Sequence, residues 1–384
     1  MRIQLTKLVV ASAVLLSAAQ QASAQPTAQA EGDGRIINGK PAAAGSAPWM
    51  VQLFTSYQYK CSDLQTSMKG NADAKRFAQR AQFTRAARCL QSGAPADSPL
   101  TRAESWNLTH NCGGSVIEGG WIVTAAHCFE WNGTVPRKGV PAEKANIDKM
   151  LANWRIRGGT MDLRMGGKEL RIDTIIIPAS FRATFKKSVA NDIALVHVSG
   201  IEDLLADPDV RPIKLADAES DAATTGDRVV VTGWGSTTEH AHDETEEAAR
   251  VDKNPSWLLR VRLEVSSDAD CSPKAPNPAV KRYYTNYPRP AGTICARGFK
   301  DGANAAGDSC FGDSGGPVIV EDRGGTPTLE ATRPLPAYVL VGVVSRGPGC
   351  GMSGASGLYT RVSSFRGWIA RAMAGGAGRG WVEM

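Results

Sequence analysis

The sequence has little of what marks several classes of protein. After residue 24 it contains no apolar run long enough to cross a bilayer. None of its eight cysteines forms a Cys-x-x-Cys pair, which argues against a zinc site. The net charge is only +6 over 384 residues, and aromatic residues make up 7%. We therefore expect neither nucleic acid nor a membrane as a partner, and the 40 glycines favour turns and short strands over a helix bundle.

The first residues have the pattern of an export signal. Arg2 and Lys7 precede a short apolar run over residues 8–16, and Ala22-Ser23-Ala24 is an A-x-A cleavage site. This predicts a signal peptide over residues 1–24 and a mature protein that is secreted or periplasmic. The short, Ala-rich form of the segment is typical of bacteria. An even number of cysteines fits the same oxidising compartment.

Short apolar runs separated by turn residues predict β-strands at 121–124, 170–177, 193–198, 227–232 and 339–344. Strands at this spacing without helices between them indicate an antiparallel barrel or sandwich. Helices are predicted at 72–90 and 364–373, and surface loops at 239–252 and 272–290. Residues 374–384 are expected to form a loose C-terminal tail.

One segment near the C-terminal end combines glycines with residues that have reactive or charged side chains. Residues 307–317 read Gly-Asp-Ser-Cys-Phe-Gly-Asp-Ser-Gly-Gly-Pro. A serine hydroxyl becomes a good nucleophile only when a base removes its proton. Glycines beside it let backbone N–H groups approach a developing oxyanion. Ser314 is therefore a candidate nucleophile, provided that a base and an orienting acid exist elsewhere.

Two other segments supply those groups. His127 lies in Thr-Ala-Ala-His-Cys, directly after a predicted strand, and Asp192 lies in Asn-Asp-Ile-Ala-Leu, at the start of another. With Ser314 they occur in the order His, Asp, Ser. These three segments resemble the signatures of the chymotrypsin/trypsin serine protease family, and the resemblance covers most of residues 36–373.

The resemblance implies an all-β fold of two antiparallel six-stranded β-barrels with a C-terminal helix. It implies that Ser314 attacks the scissile carbonyl, that His127 transfers the proton and that Asp192 holds the imidazole. Backbone N–H groups of Gly312 and Ser314 would form the oxyanion hole. No cofactor or metal is implied, and we expect a monomer that acts on proteins or peptides and meets protein inhibitors.

The same resemblance implies specificity and activation. Asp308 would lie at the base of the primary pocket and select Arg or Lys. Further pocket and substrate-binding positions are Ser345, Gly347, Gly357 and Tyr359. Residues 25–35 would be an activation propeptide, removed by cleavage between Arg35 and Ile36, and the new Ile36 ammonium would pair with Asp313.

The family pattern implies the disulfides Cys112–Cys128, Cys271–Cys295 and Cys310–Cys350, which leaves Cys61 and Cys89 to pair with each other. The latter two lie in an insertion over about 57–110. Within it, a run of five basic residues has no acidic residue in between: Lys75, Arg76, Arg80, Arg85 and Arg88. The insertion is either a solvated decoration or a surface that attracts acidic partners.

The segment 157–168 matches the family's calcium loop but has Gly and Lys where acidic ligands are needed, so we expect no calcium site there.

Two other functions fit parts of the sequence. Residues 312–316 also satisfy the G-x-S-x-G pattern of lipases and esterases, but those enzymes place the histidine after the serine, and no histidine follows Ser314. A catalytically dead, protease-like binding protein is the second alternative. Such proteins usually lose a triad residue, and none is lost here.

Overall fold

The computed structural model describes residues 37–58, 60–62, 89, 95–102, 109–129, 141–184, 187–217, 223–237, 240–241, 255–299, 306–321, 338–375 and 380–383. The predicted signal peptide, the propeptide, Ile36 and the predicted helix at 72–90 (Cys89 excepted) lie outside these residues. The described strands are β1 (Lys40–Pro41), β2 (Met50–Thr55), β3 (His110–Val116), β4 (Ile122–Thr124), β5 (Trp154–Gly158), β6 (Lys168–Ile177), β7 (Arg182–Thr184), β8 (Lys187–Ala190), β9 (Ala194–Val198), β10 (Lys214–Leu215), β11 (Arg228–Gly233), β12 (His240–Ala241), β13 (Leu259–Val265), β14 (Thr293–Gly298), β15 (Pro317–Glu321), β16 (Tyr338–Arg346), β17 (Gly349–Cys350), β18 (Gly357–Arg361) and β19 (Gly380–Glu383).

Two sheets close on themselves. In the first barrel the strand order is β6-β5-β2-β3-β4-β9, and β9 pairs again with β6. In the second barrel the order is β13-β11-β15-β16-β18-β14, and β14 pairs again with β13. All pairings within the two cycles are antiparallel. The prediction of two six-stranded antiparallel barrels is therefore confirmed.

Alternation of side chains explains why these segments form barrels. In β13 the residues Leu259, Val261, Leu263 and Val265 are buried, while the Arg and Glu residues between them are partly exposed. A strand directs successive side chains to opposite faces, so this pattern places one face in the barrel interior. All five strands predicted from the sequence lie within one to two residues of the observed β4, β6, β9, β11 and β16.

Four α-helices lie among the described residues: α1 (Pro141–Asn153), α2 (Ile201–Leu205), α3 (Pro278–Asn286) and α4 (Arg366–Ala374). The predicted C-terminal helix corresponds to α4 and the 3-10 turn Val362–Phe365 before it. No helix predicted from the sequence corresponds to α1.

The prediction of a surface loop at 272–290 is wrong over α3. Asn277 caps this helix, because its side-chain oxygen accepts hydrogen bonds from the N–H groups of Ala279 and Val280. Pro278 then occupies the first helical position, where its missing N–H costs nothing. The helix buries Val280 and Tyr284.

The expectation of a loose tail is wrong over residues 380–383. They form β19, which pairs in parallel with β6 from Thr174 to Ile177. The outer edge of β6 offers unpaired backbone groups at this point, and an additional strand satisfies them.

Candidate active site

The His127 side chain is held at the end of β4. It lies in a 3-10 turn, Ala126–Phe129, that follows the strand after one residue. The neighbouring Cys128 forms a disulfide with Cys112 of β3, which fixes the turn to the adjacent strand. The imidazole is about one quarter exposed, so one of its edges is open to solvent.

Asp192 enters from the start of β9 and lies beside His127. Its Oδ2 is 2.7 Å from His127 Nδ1, and its Oδ1 accepts the His127 backbone N–H at 2.9 Å. The preceding Asn191 has φ of 58°. This left-handed conformation, which asparagine tolerates better than most residues, turns the chain sharply before the strand.

The Asp192 side chain is 2% exposed, and its carboxylate accepts several hydrogen bonds. Burial alone would raise its pKa, but the His127 charge and hydrogen bonds from His127 and Ser345 outweigh burial and lower it. Ser345 Oγ donates to Oδ2 at 2.5 Å, and Thr360 Oγ1 donates to the backbone carbonyl at 2.7 Å. The sequence did not single out Thr360, which comes from β18.

Ser314 comes from the second barrel and lies on the turn before β15. The turn packs against the first barrel, since Gly113 N–H of β3 donates to the Ser314 carbonyl at 2.7 Å. Gly315 has φ of 75°, and a Cβ on it would lie 2.5 Å from the Gly113 carbonyl and 3.0 Å from the Ala125 amide nitrogen. Only glycine permits this approach of the Ser314 turn to the His127 loop.

The backbone of the Ser314 turn has its carbonyl groups occupied. The carbonyls of residues 310 to 314 each accept one hydrogen bond. Their donors are, in chain order of the acceptors, Asp313 N–H, Ser236 N–H, the His110 ring, Gly316 N–H and Gly113 N–H. Within the described part of the chain, no hydrogen bond uses the N–H group of Gly312 or of Ser314. Two N–H donors of one fixed turn are thus available to an anion.

Asp308 is also buried, at 7% exposure. Burial raises its pKa to about 7, although backbone N–H groups of Gly351 and Ser309 lower it. The Gly351 hydrogen bond measures 2.9 Å. A buried carboxylate with so high a pKa gains strongly from a cation brought to it.

The other predicted pocket residues surround the same region. Tyr359 Oη lies 2.9 Å from Ser309 Oγ, and a Cβ on Gly357 would lie 3.1 Å from Tyr359 Oη. A Cβ on Gly347 would lie 3.4 Å from the Gly357 Cα. The two glycine positions therefore face each other closely.

Comparison with known proteins identifies the family. A family model described as Trypsin matches residues 91–369. The chain belongs to the trypsin family of serine proteases. An ovochymase of Halocynthia roretzi is 30% identical over 264 residues, which are 67% of this chain and 14% of that protein. Trypsin II-P29 of Gallus gallus is 27% identical over 265 residues, which are 69% of this chain and 80% of that protein.

Asp313 of this trypsin-family chain is fully buried. Burial raises its pKa to about 7, and N–H groups of Cys310 and Gly235, each at 2.8 Å from a carboxylate oxygen, oppose the shift. Among the described residues, no cationic side chain lies within ion-pair distance of it. The start of the described chain passes nearby, because the Asp308 N–H donates to the Ile37 carbonyl at 3.0 Å.

Four disulfides are present, between Cys61 and Cys89, Cys112 and Cys128, Cys271 and Cys295, and Cys310 and Cys350. These are the same four pairs that the sequence analysis expects. The described residues contain one group with the spacing of metal ligands: Cys112, His127 and Cys128. Both of its sulfurs are in a disulfide, and a metal needs thiolates, so this group does not suit one.

Arg102, which the sequence analysis missed, occupies the loop at 157–168. Its Nε donates to the Leu163 carbonyl at 2.9 Å, its Nη2 donates to the Gly166 carbonyl at 2.8 Å, and its Nη1 is 3.8 Å from Glu169. Carbonyl and carboxylate oxygens are the ligands that calcium takes. A side-chain cation already binds these oxygens, which supports the prediction that this loop holds no calcium.

None of the helices in the described ranges is both long enough and apolar enough to cross a membrane.

Proposed function

We propose that this trypsin-family chain is a secreted serine endopeptidase, made as a zymogen, that cleaves peptide bonds after Arg or Lys. The observation that carries the proposal is the buried Asp192 carboxylate 2.7 Å from His127 Nδ1, beside the packed turn of Ser314. Its substrates are proteins or peptides with Arg or Lys at the cleavage site, and protein inhibitors are further partners. It acts as a monomer without a cofactor or metal.

The first half-reaction forms an acyl-enzyme. His127 Nε2 takes the proton of Ser314 Oγ as that oxygen attacks the carbonyl carbon of the scissile bond. The carbonyl oxygen becomes an oxyanion, which the N–H groups of Gly312 and Ser314 stabilise. The C–N bond then breaks, and the His127 proton goes to the departing amine.

The second half-reaction releases the product. Water loses a proton to His127 and attacks the ester carbonyl, and the Ser314 oxygen leaves with that proton. Asp192 remains ionised throughout and stabilises the imidazolium that forms twice. The lowered pKa of Asp192 supports this role, because the carboxylate keeps its charge beside a proton-carrying histidine.

Asp308 selects the substrate side chain. A buried carboxylate has lost its hydration, and the guanidinium or ammonium group of a substrate side chain would supply an opposite charge in its place. Gly347 and Gly357 carry no side chain that would fill the pocket, and Ser345 pairs with the substrate backbone.

Activation couples the N-terminus to the oxyanion turn. Cleavage after Arg35 frees the Ile36 ammonium, which pairs with the buried Asp313 next to Gly312. The position of Ile37, buried beside Cys310 and bonded to the Asp308 N–H, supports this arrangement.

Activity of the cleaved enzyme is expected to fall at alkaline pH. An α-amino group ordinarily titrates at about 7.7–8.0, and pairing with Asp313 raises that value. The ion pair is therefore intact below the ordinary pKa and lost as the pH rises through the raised one. The measurement is kcat/KM against pH, with the enzyme acetylated at Ile36 for comparison. Full activity of the acetylated enzyme would contradict the activation mechanism.

Covalent labelling tests the enzyme function itself. After cleavage at Arg35, an organophosphonate with an Arg side chain is expected to label Ser314, as located by mass spectrometry of the digested protein. The Ser314→Ala variant serves as the control and should remain unlabelled. An activated wild-type protein that binds peptides but is never labelled would instead be a protease-like binding protein. N-terminal sequencing of the same sample checks removal of residues 1–24 and the cut after Arg35.

A further inference from the structure

A row of polar side chains runs across four neighbouring strands of the first barrel. Glu169 of β6 is opposite Arg157 of β5, and Arg157 is opposite Gln52 of β2. A register shift in the β2–β3 ladder, between Leu53 and Phe54, places His110 of β3 opposite Phe54 and so on the same face as Gln52. Residues opposite each other in adjacent strands are close enough to bond directly.

Hydrogen bonds join the row from end to end. Arg157 donates to Glu169 through Nε, at 3.1 Å, and through Nη2. Its Nη1 donates to Gln52 Oε1 at 2.6 Å, and the ring of Phe54 lies 4.1 Å from its guanidinium carbon. Gln52 Nε2 is 3.4 Å from His110 Nδ1, and His110 Nε2 is 2.9 Å from the Gly312 carbonyl.

The chemistry of these groups determines the direction of every bond. Arginine only donates and keeps its proton in proteins, so Gln52 must present its oxygen to Arg157. The Gln52 amide nitrogen, a donor, then faces His110, whose Nδ1 must accept. The neutral ring consequently carries its proton on Nε2, the nitrogen that donates to the Gly312 carbonyl. Arg157, Gln52 and His110 are all at most 3% exposed, so water does not compete for these groups.

Gly312 is the residue that needs such an anchor. Its φ is 93°, a conformation in which glycine has wide freedom. Its carbonyl points to His110, whereas its N–H is one of the two donors proposed for the oxyanion. The Gly312 N–H shares a peptide plane with the Phe311 carbonyl, which Ser236 N–H binds, while His110 holds the plane on the other side of the Cα. The two bonds together restrict rotation about the Gly312 Cα.

We propose that Arg157 and Gln52 are positioning residues for the oxyanion hole: they select the His110 tautomer that anchors the Gly312 carbonyl. This proposal rests on the proposed protease function. It assigns a catalytic consequence to an ion pair between the buried Arg157 and the partly exposed Glu169, both distant from Ser314 along the chain. Within the described part of the chain, the ring of Trp234 faces His110 at 6.2 Å between ring centroids, and the titratable Asp313 follows its partner Gly312 in the chain.

Two substitutions of Gln52 test the proposal. Gln52→Leu removes the amide donor that faces His110 Nδ1, so this ring and its bond to the Gly312 carbonyl are held less firmly. Removal of one oxyanion donor costs about 100- to 1,000-fold in kcat, and a misdirected donor should cost roughly tenfold, with KM within twofold. The substitution lowers kcat and leaves KM nearly unchanged, because the oxyanion forms only in the transition state.

Gln52→Glu has nearly the same shape and keeps an acceptor for Arg157, but it places a carboxylate against His110 Nδ1. The neutral ring then carries its proton on Nδ1, and Nε2 can donate to Gly312 only when the ring is doubly protonated. The ratio of variant to wild-type kcat should therefore be close to one at low pH and should fall as the pH rises through the His110 pKa. A purely structural role for Gln52 predicts a ratio that does not change with pH.

Ile156→Val on β5 is the matched control, because it alters the barrel interior next to Arg157 without touching the row. All variants are compared with activated wild-type enzyme whose Ser314 has been labelled in a parallel sample. If the wild type is not labelled, the proposed function fails. If the wild type is labelled and both Gln52 variants keep its kcat and its pH profile, the positioning role is wrong.

Discussion

Replacing Asp192 with Asn is expected to lower kcat about 10,000-fold, as it does for the corresponding aspartate of the serine protease triad. The carboxylate accepts three hydrogen bonds, from His127 N–H, His127 Nδ1 and Ser345 Oγ. An amide has a single oxygen. The backbone N–H of His127 cannot become an acceptor, so the amide oxygen turns to it, and the amide nitrogen faces His127 Nδ1. The imidazole then adopts the tautomer with Nε2–H, which cannot take a proton from Ser314.

The second Asp–His pair of the chain provides a matched control. Asp173 Oδ1 is 2.8 Å from His197 Nδ1, and Ser199 Oγ donates to Asp173 Oδ2 at 3.0 Å. Asp173→Asn makes the same chemical change in the same barrel but should leave kcat within twofold. Single-turnover kinetics on an Arg ester and an Arg peptide would measure both variants. A loss of less than tenfold in Asp192→Asn would show that His127 is held by something other than this carboxylate.

Replacing Asp308 with Ser is expected to remove most of the preference for Arg and Lys. Loss of one partner from a buried, hydrogen-bonded charge pair costs about 2–5 kcal/mol. Such a cost corresponds to a fall in kcat/KM of roughly 30- to 4,000-fold for an Arg reporter peptide. A Phe reporter peptide forms no ion pair, so its kcat/KM should change little. The Ser hydroxyl can still accept the Gly351 N–H, which limits damage to the pocket wall.

Asp270→Ser is the control for this substitution. Asp270 follows β13 of the same barrel and binds Ser267 and Arg297, neither of which is a predicted pocket residue. It should leave the ratio of Arg to Phe hydrolysis unchanged. If Asp308→Ser leaves the ratio of Arg to Phe hydrolysis unchanged, another group binds the charged side chain of the substrate.

Much of the fold and the candidate site could be predicted because the signals are local. Short apolar runs between turn residues predict strands such as β11 and β16, since such runs are visible in consecutive positions of the sequence. The segments around His127, Asp192 and Ser314 carry their own turn and strand signals. Each of these residues occupies a strand end or a tight turn in the structure, as those signals indicate.

The errors have a different origin. The Pro, Lys and Tyr content of residues 272–290 predicts a surface loop, whereas the Asn277 cap and the burial of Tyr284 stabilise helix α3 there. Residues 380–383 have no strong strand pattern of their own, and they form β19 because the edge of β6 is available to them. Arg102 gave no signal at all, since its partners lie some 60 residues further along the chain.

The sequence by itself determined the family and, through that resemblance, the two-barrel architecture and the residues proposed to react, because the family signatures depend on residue type and on short-range pattern. Only the tertiary structure decided how the groups are held. The Gly312 carbonyl finds its donor in His110, 202 residues before it, and His110 takes its tautomer from Gln52 and Arg157 on neighbouring strands. Such bonds arise from the register of closed sheets. A hydrogen bond requires its two atoms at about 3 Å, and no local pattern specifies that distance between remote residues.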